Sequence, residues 1–300
     1  MRSMASTLLT PNQINSIMKR REFIQSSSLA AVGMLTLPSF LMKKEKKGQI
    51  GLQLYTLRST IGQDPKGVLK KVSEFGYKNL ETYGYGDGKI FGMGFKEFND
   101  YVKSLGMKVT SGHYGLDMIK GDKWKKAVDD AKANGQKFMV VPYINEDQRK
   151  TIDDYKRIIA DLNAAGEVCN AAGIRFGYHN HAFEFDTVDG QIPYDVMLKE
   201  LDPKNVGMEM DIFWVVNAGR DPLKYFEQYP GRFEQWHVKD MDKSDKNRNA
   251  NIGSGTIDWK PIFAKAKQSG LKHFYVEQES YPGEPINSVE EGAKYLKTIL

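Results

Sequence analysis

From residue 50 onward, short apolar runs alternate with longer amphipathic ones. Ile50–Tyr55 reads as a first strand. Asp64 and Pro65 cap and open a helix running to Phe75, and Gly76 stops it. The alternation continues with strands at Asn79–Tyr83, Lys108–His113, Lys137–Pro142, Arg175–His179, Val206–Asp211, Phe233–His237 and His273–Glu277. Between them the pattern predicts helices at Phe95–Leu105, Lys123–Asn134, Thr151–Ala172, Tyr194–Leu201, Asp221–Tyr229 and Asp258–Ser269, and a closing helix at Ser288–Leu300. Glycines 106, 135, 173 and 270 stand at helix stops.

Such alternation predicts a parallel sheet covered by helices. Eight units of about 30 residues predict closure into a (β/α)8 TIM barrel spanning residues 50–300. A doubly wound open sheet is the alternative. Its glycine-rich phosphate fingerprint is missing after the first strand, where Tyr55-Thr56-Leu57-Arg58 stands instead.

The first 42 residues read differently. Lys19-Arg20-Arg21-Glu22-Phe23-Ile24 is a charged start, and Ser28–Leu37 is a short apolar run, too short to span a bilayer. Paired arginines followed by x-Phe-Ile resemble the twin-arginine export signal, which carries folded proteins. An ordinary secretory signal and an uncleaved anchor are the alternatives, and Met18 is a candidate start. Residues 43–49 read as a basic linker. The expected location is exported, in a periplasm, with no stable membrane insertion.

Charge changes little. Residues 1–42 hold +3 of the chain's +5, leaving +2 for the rest, so nothing suggests a nucleic-acid surface. The one cysteine, Cys169, lies in a helix pattern and reads as a small buried hydrophobe.

Candidate chemistry sits at the late strand ends. The fifth ends at His179, the sixth at Asp211, the seventh at His237 and the eighth at Glu277. In a parallel barrel the C-terminal strand ends converge on one face. Two imidazoles and two carboxylates converging there suit one divalent ion such as Mn²⁺, Zn²⁺ or Co²⁺. Other polar groups are candidates for the same face. His113 and Glu81 end the third and second strands and are placed to meet a substrate hydroxyl. Lys239 is placed to neutralise developing negative charge. His181 and Glu184 are alternative acid/base groups, and Glu279 is a hydrogen-bonding partner for metal ligands. Tyr55, Trp214 and Trp236 are candidates for an apolar wall against a substrate ring.

The order GLQLYTLR, GYHNHAFEF, EMDIFW, WHVKD, GSGTIDW and VEQE resembles the xylose isomerase-like TIM-barrel family, often called sugar phosphate isomerase/epimerase, over nearly all of residues 50–300. That resemblance implies metal ligands Glu, Asp, His and Glu on the last four strands. Asp211, His237 and Glu277 match three, and His179 stands where the first Glu usually sits. It also implies proton abstraction next to a metal-chelated carbonyl, with two Glu ligands as the bases in epimerases. With Glu277 alone left of that pair, the expectation moves to one-base enolisation with β-elimination, as in lyases or hydratases acting on 3-keto-glycosides. Keto-sugar isomerisation or epimerisation is the first alternative, and a non-catalytic exported sugar-binding protein is the second. A repair endonuclease on the same barrel needs more histidines than the five present and a basic groove. A small sugar or glycoside is the expected partner, with pairing into a homo-oligomer possible for such barrels.

Overall fold

The computed structural model describes residues 49–300. The export-signal reading of residues 1–42, and all of the linker except Gln49, lie outside the described residues. Eight parallel strands form the central sheet: β1 Gly51–Gln53, β2 Asn79–Thr82, β3 Lys108–Gly112, β4 Phe138–Val141, β5 Arg175–His179, β6 Val206–Asp211, β7 Phe233–Val238 and β8 His273–Val276. Their spatial order is β3-β2-β1-β8-β7-β6-β5-β4. An isolated parallel bridge from His113 to Val140 links β3 to β4, so the sheet is a nearly closed TIM barrel.

The helices form where local chemistry specifies them. Asp64 accepts a hydrogen bond from Gly67 N (2.9 Å) and Pro65 opens the helix Pro65–Glu74. Thr151 and Asp154 make a reciprocal capping box on the long helix Ile152–Ala172. That helix ends at Gly173, whose φ of +78° is a left-handed conformation that a side chain would strain. Cys169 lies in this helix, fully buried.

Three elements depart from the sequence pattern. The first strand stops at Gln53, because Leu54–Leu57 turns into a 3-10 helix whose Tyr55 N donates to the Gln53 side chain. A helix at Ile212–Asn217 starts directly off β6, capped by Asp211. The expected helix Asp258–Ser269 is two pieces, Trp259–Ala264 and Ala266–Ser269.

Below the mouth, the barrel interior carries a polar tier. The Tyr275 hydroxyl lies 2.9 Å from Thr110 Oγ1, reaching across from β8 to β3, and Gln235 Nε2 donates to Tyr275 at 3.5 Å. On the outer side of the sheet, Trp236 stacks on Phe226 at 5.0 Å between centroids and meets Phe263 at 5.7 Å. Strands β1 and β8 approach closely at Gly51. A methyl group on Gly51 would clash with the Phe274 carbonyl oxygen and the Tyr275 ring of the paired strand β8. Gly51→Ala is therefore expected to cost about 1–3 kcal/mol, read from urea unfolding midpoints. An unchanged midpoint with an unchanged slope would show that β1 and β8 have slack there.

Candidate active site

The strand ends place Glu81 (β2), His113 (after β3), His179 (β5), Glu209 and Asp211 (β6), and His237 and Lys239 (β7 and its exit) around one point, with Glu277 just past β8. All are buried except His113, whose side chain is 10% exposed. In β6, Glu209 and Asp211 are two residues apart, so the pleat turns both carboxylates to the same face. The register pairs His179 with Glu209 and Asp211 with His237 across neighbouring strands.

The groups form two linked tiers. In the outer tier, His237 Nδ1 is 3.0 Å from Glu277 Oε2, and His179 Nε2 is 3.8 Å from Asp211 Oδ2. Lys239 Nζ lies 3.4 Å from Glu277 Oε2 and 3.8 Å from Asp211 Oδ2, and it also pairs with Glu279. In the inner tier, His113 Nε2 is 2.8 Å from Glu209 Oε2 and 3.2 Å from Glu81 Oε2. His237 Nε2 is 2.6 Å from Glu81 Oε2, and His179 Nδ1 is 3.2 Å from Glu209 Oε2. Gln53 Nε2 donates to Glu81 Oε2 at 2.8 Å.

The charges follow from this packing. Burial would raise Glu81, but His113 and His237 hold it well below the usual carboxylate range. Burial and the nearby Glu81 charge push Glu209 up. Burial also pushes Asp211 up, to about 6, against the pull of Lys239. Burial would lower His113, yet Glu81 and Glu209 push it up to about 9. Burial would raise Glu277, but Lys239 and His237 hold it well below its ordinary value. Burial drives His179 far down and takes His181 to about 3, so both are neutral imidazoles at neutral pH.

This donor set fits a divalent cation. One potential ligand atom from each of His179, Asp211, His237 and Glu277 lies within 4.8 Å of the others, and His113, His179, Glu209 and His237 make a second such set. Asp211 Oδ2 is buried and accepts no hydrogen bond, while its Oδ1 accepts from Trp214 N. Glu81 Oε1 and Glu209 Oε1 are likewise buried and unpaired. Leaving such acceptors empty costs stability that a cation recovers.

A cavity of about 480 Å³ opens above, lined by Tyr55, Tyr83, His113, Tyr143, His179, His181, Glu277 and Glu279 among others. None of the described residues lining it is a lysine or arginine. Tyr55 meets Tyr83 edge-on on one side, and Tyr143 meets His181 and Phe183 on the other.

Residues 69–299 match the family described as xylose isomerase-like TIM barrel. The chain belongs to that family. It is 30% identical to a solved sugar phosphate isomerase/epimerase from Parabacteroides distasonis ATCC 8503, over 84% of this chain and 94% of that one, with a TM-score of 0.74. A solved IOLI protein with a bound zinc atom shares the fold at 14% identity and a TM-score of 0.66, over 84% of this chain and 97% of that one. An inosose dehydratase of Lacticaseibacillus casei is 26% identical over 169 residues, 50% of this chain and 56% of that protein. The chain thus spans about half the length of that curated relative. Relatives within this xylose isomerase-like family are thus enzymes of sugar isomerase, epimerase and dehydratase type.

Against the family pattern, the structure sorts the expected residues. His179, Asp211, His237 and Glu277 come together. Glu81 and His113 join them as direct partners of the histidines and carboxylates, not as rim groups. Lys239 sits inside the outer tier. Tyr55 stands at the rim, 38% exposed, and Trp214 lies against His181 at 5.5 Å and under the Lys239 ammonium at 5.1 Å. Trp236 is a correction: strand alternation turns it opposite to His237, into the layer between sheet and helices, so it walls no cavity. Glu184 is another: it is fully buried, accepting from the Tyr178 hydroxyl (2.6 Å) and His181 N (2.8 Å), and it does not line the cavity. It braces the turn that presents His181. Sequence reasoning missed Glu209, Tyr83 and Tyr143. The i, i+2 spacing to Asp211 was the available signal for Glu209.

Burial pushes the Glu184 carboxyl up to about 7 from 4.5. A carboxyl raised in the folded state opposes folding once ionised. That penalty is absent below about 4.5 and complete above about 7. Glu184→Gln removes it. The stability of Glu184→Gln relative to the parent protein should therefore rise across this window, by up to a few kcal/mol. Urea unfolding of both proteins below and above the window checks this, and a pH-independent difference would contradict it.

Proposed function

We propose that this protein is a divalent-metal-dependent carbohydrate enzyme that removes a proton next to the carbonyl of a neutral keto-sugar and then expels a β-leaving group, a lyase or hydratase of 3-keto-glycoside type. The observation that carries this reading is the cavity itself. It exposes one carboxylate of the metal-fitting set, Glu277, and presents no lysine or arginine on its described walls to hold a phosphate. Glu81, Glu209 and Asp211 are wholly buried around it. The export signal read in residues 19–37 supports the same substrate class, since an exported enzyme meets unphosphorylated sugars; the proposed location is periplasmic.

His179, Asp211, His237 and Glu277 would hold the ion, whose identity among Mn²⁺, Zn²⁺ and Co²⁺ the donor set leaves open. The zinc in the IOLI neighbour supports a metal, and the likeness to an inosose dehydratase supports an elimination. When bound, the ion would polarise the substrate carbonyl and acidify the adjacent C–H bond. Glu277 is ionised and faces the cavity, so it is placed to take the C2 proton. The electron pair of that C–H bond forms the C1=C2 double bond as the C1–O bond breaks. Lys239, 3.4 Å from Glu277, offsets negative charge developing on the substrate. His113 carries a proton at neutral pH and lines the cavity, so it is the group placed to hydrogen-bond a substrate oxygen or protonate the departing one. Tyr55, Tyr83 and Tyr143 line the cavity and offer apolar faces to the sugar and its leaving group, and Trp214 packs behind His181. Isomerisation or epimerisation of a keto-sugar is the second reading, favoured by the likeness to the Parabacteroides distasonis sugar phosphate isomerase/epimerase.

Incubation of the purified protein with a 3-keto-glucoside should release the leaving group in the presence of a divalent metal and stop with chelator. Carrying out the reaction in deuterated water should label the α-carbon of recovered substrate. Asp211→Ala and His237→Ala should abolish both metal content and turnover. Retention of all atoms in one sugar would point to the isomerase reading, and metal-independent turnover would sink the ligand assignment.

A further inference from the structure

The two tiers share His179 and His237, and each ring turns one nitrogen to each tier. His237 directs Nδ1 towards Glu277 and Nε2 to Glu81 at 2.6 Å, with Glu209 Oε2 farther off at 3.3 Å. His179 directs Nε2 towards Asp211 and Nδ1 to Glu209 at 3.2 Å. A neutral imidazole has one lone pair and one N–H. Each ring can therefore ligate an ion in one tier only, and must donate a hydrogen bond in the other. Both rings have a buried carboxylate oxygen waiting on the inner side. His113 Nε2 bridges those carboxylates, 2.8 Å from Glu209 and 3.2 Å from Glu81, and offsets their charge.

We infer that Glu81 and Glu209 are positioning residues for a single metal site: each accepts the ring N–H of one histidine ligand and so fixes the tautomer that aims the other nitrogen at the ion. Glu81 does this for His237 and Glu209 for His179. The inference rests on the metal reading above, and goes beyond it by assigning a function to the inner tier. Carboxylate acceptance raises the basicity of a histidine ligand and holds its ring plane. It also explains the His179 position. A histidine there needs an acceptor behind it, and β6 supplies one in Glu209, opposite His179 in the strand register.

The test uses Co²⁺, whose visible spectrum reports ligand field, on the metal-stripped full chain. The parent protein should bind one Co²⁺ per chain, and Asp211→Ala should bind none. Glu209→Gln and Glu81→Gln should each still bind one ion, about 10–100-fold more weakly, with a displaced visible spectrum. Glu209→Asp, which keeps a carboxylate where Gln offers only a neutral amide, should recover part of the affinity. Circular dichroism of the metal-free variants separates misfolding from lost positioning, and a variant that misfolds is replaced by the Asp substitution. Parent affinity and spectrum in Glu209→Gln overturn the inference. So do two ions per chain in the parent protein, or loss of the ion in Glu209→Gln with retention in Asp211→Ala, which would place the ion in the inner tier. A parent chain that takes up no Co²⁺ overturns the metal reading itself, and the inference with it.

Discussion

Removing Glu81, Glu209, Asp211 and Glu277 from water costs several kilocalories per mole for each charge unless a countercharge stands within hydrogen-bonding reach. The barrel mouth is arranged around that cost. Lys239 and the imidazoles of His113 and His237 meet three of the carboxylates directly. Asp211 keeps one oxygen with no partner, 3.8 Å from both His179 and Lys239. The balance couples strands that do not touch through the backbone. His113 after β3 reaches Glu209 on β6, and His237 on β7 reaches Glu81 on β2. The site is thus part of the barrel's internal bonding, continuous with the tier of Thr110, Gln235 and Tyr275 beneath it.

Most of the barrel was legible in the sequence because parallel strands buried on both faces read as compact apolar runs, and because caps and glycine stops mark the helices between them. Boundaries moved where side chains compete with the ladder, as Gln53 does by accepting from Tyr55 N to end β1. The outer tier was legible too, since each of its members stands at the end of its strand. Of the inner tier, Glu81 and His113 were legible as strand-end groups, and Glu209 was not, for a simple reason. Reading only the last residue of each strand discards the residue two places earlier that shares its face. Period-two alternation applied to Met208-Glu209-Met210-Asp211 puts Glu209 beside Asp211, and applied to Trp236-His237 it puts the indole outside. One rule recovers the missed residue and removes the misplaced one. Glu184 followed the opposite course. Its place after a strand suggested chemistry, but its carboxylate turns back to Tyr178 and the chain at His181.

The carboxylate arithmetic of the site also changes. Under the proposed reading, a histidine at position 179 in place of a glutamate leaves a single base. The structure returns two glutamates to the neighbourhood, but places both where a substrate cannot reach them. The site is rich in carboxylates, yet among the described residues only Glu277 of those around the candidate metal position lines the cavity.

Beside this centre, Asp240 accepts hydrogen bonds from the backbone N–H groups of Met241, Gly253, Gly255 and Ile257 and from Trp259 Nε1. The loop it gathers reaches the exit of β8 through Asn249, which accepts from Glu279 N, and Asn251, which accepts from Gln278 Nε2. One side of the mouth is thereby stapled, and Arg58, donating to the Glu279 carbonyl and to Tyr281, ties the exit of β1 to it, while Tyr83 and Tyr143 line the cavity from the exits of β2 and β4. Such a division would let substitutions at Tyr83 and Tyr143 alter which small molecule fits the cavity while the charged groups around Glu277 stay in place.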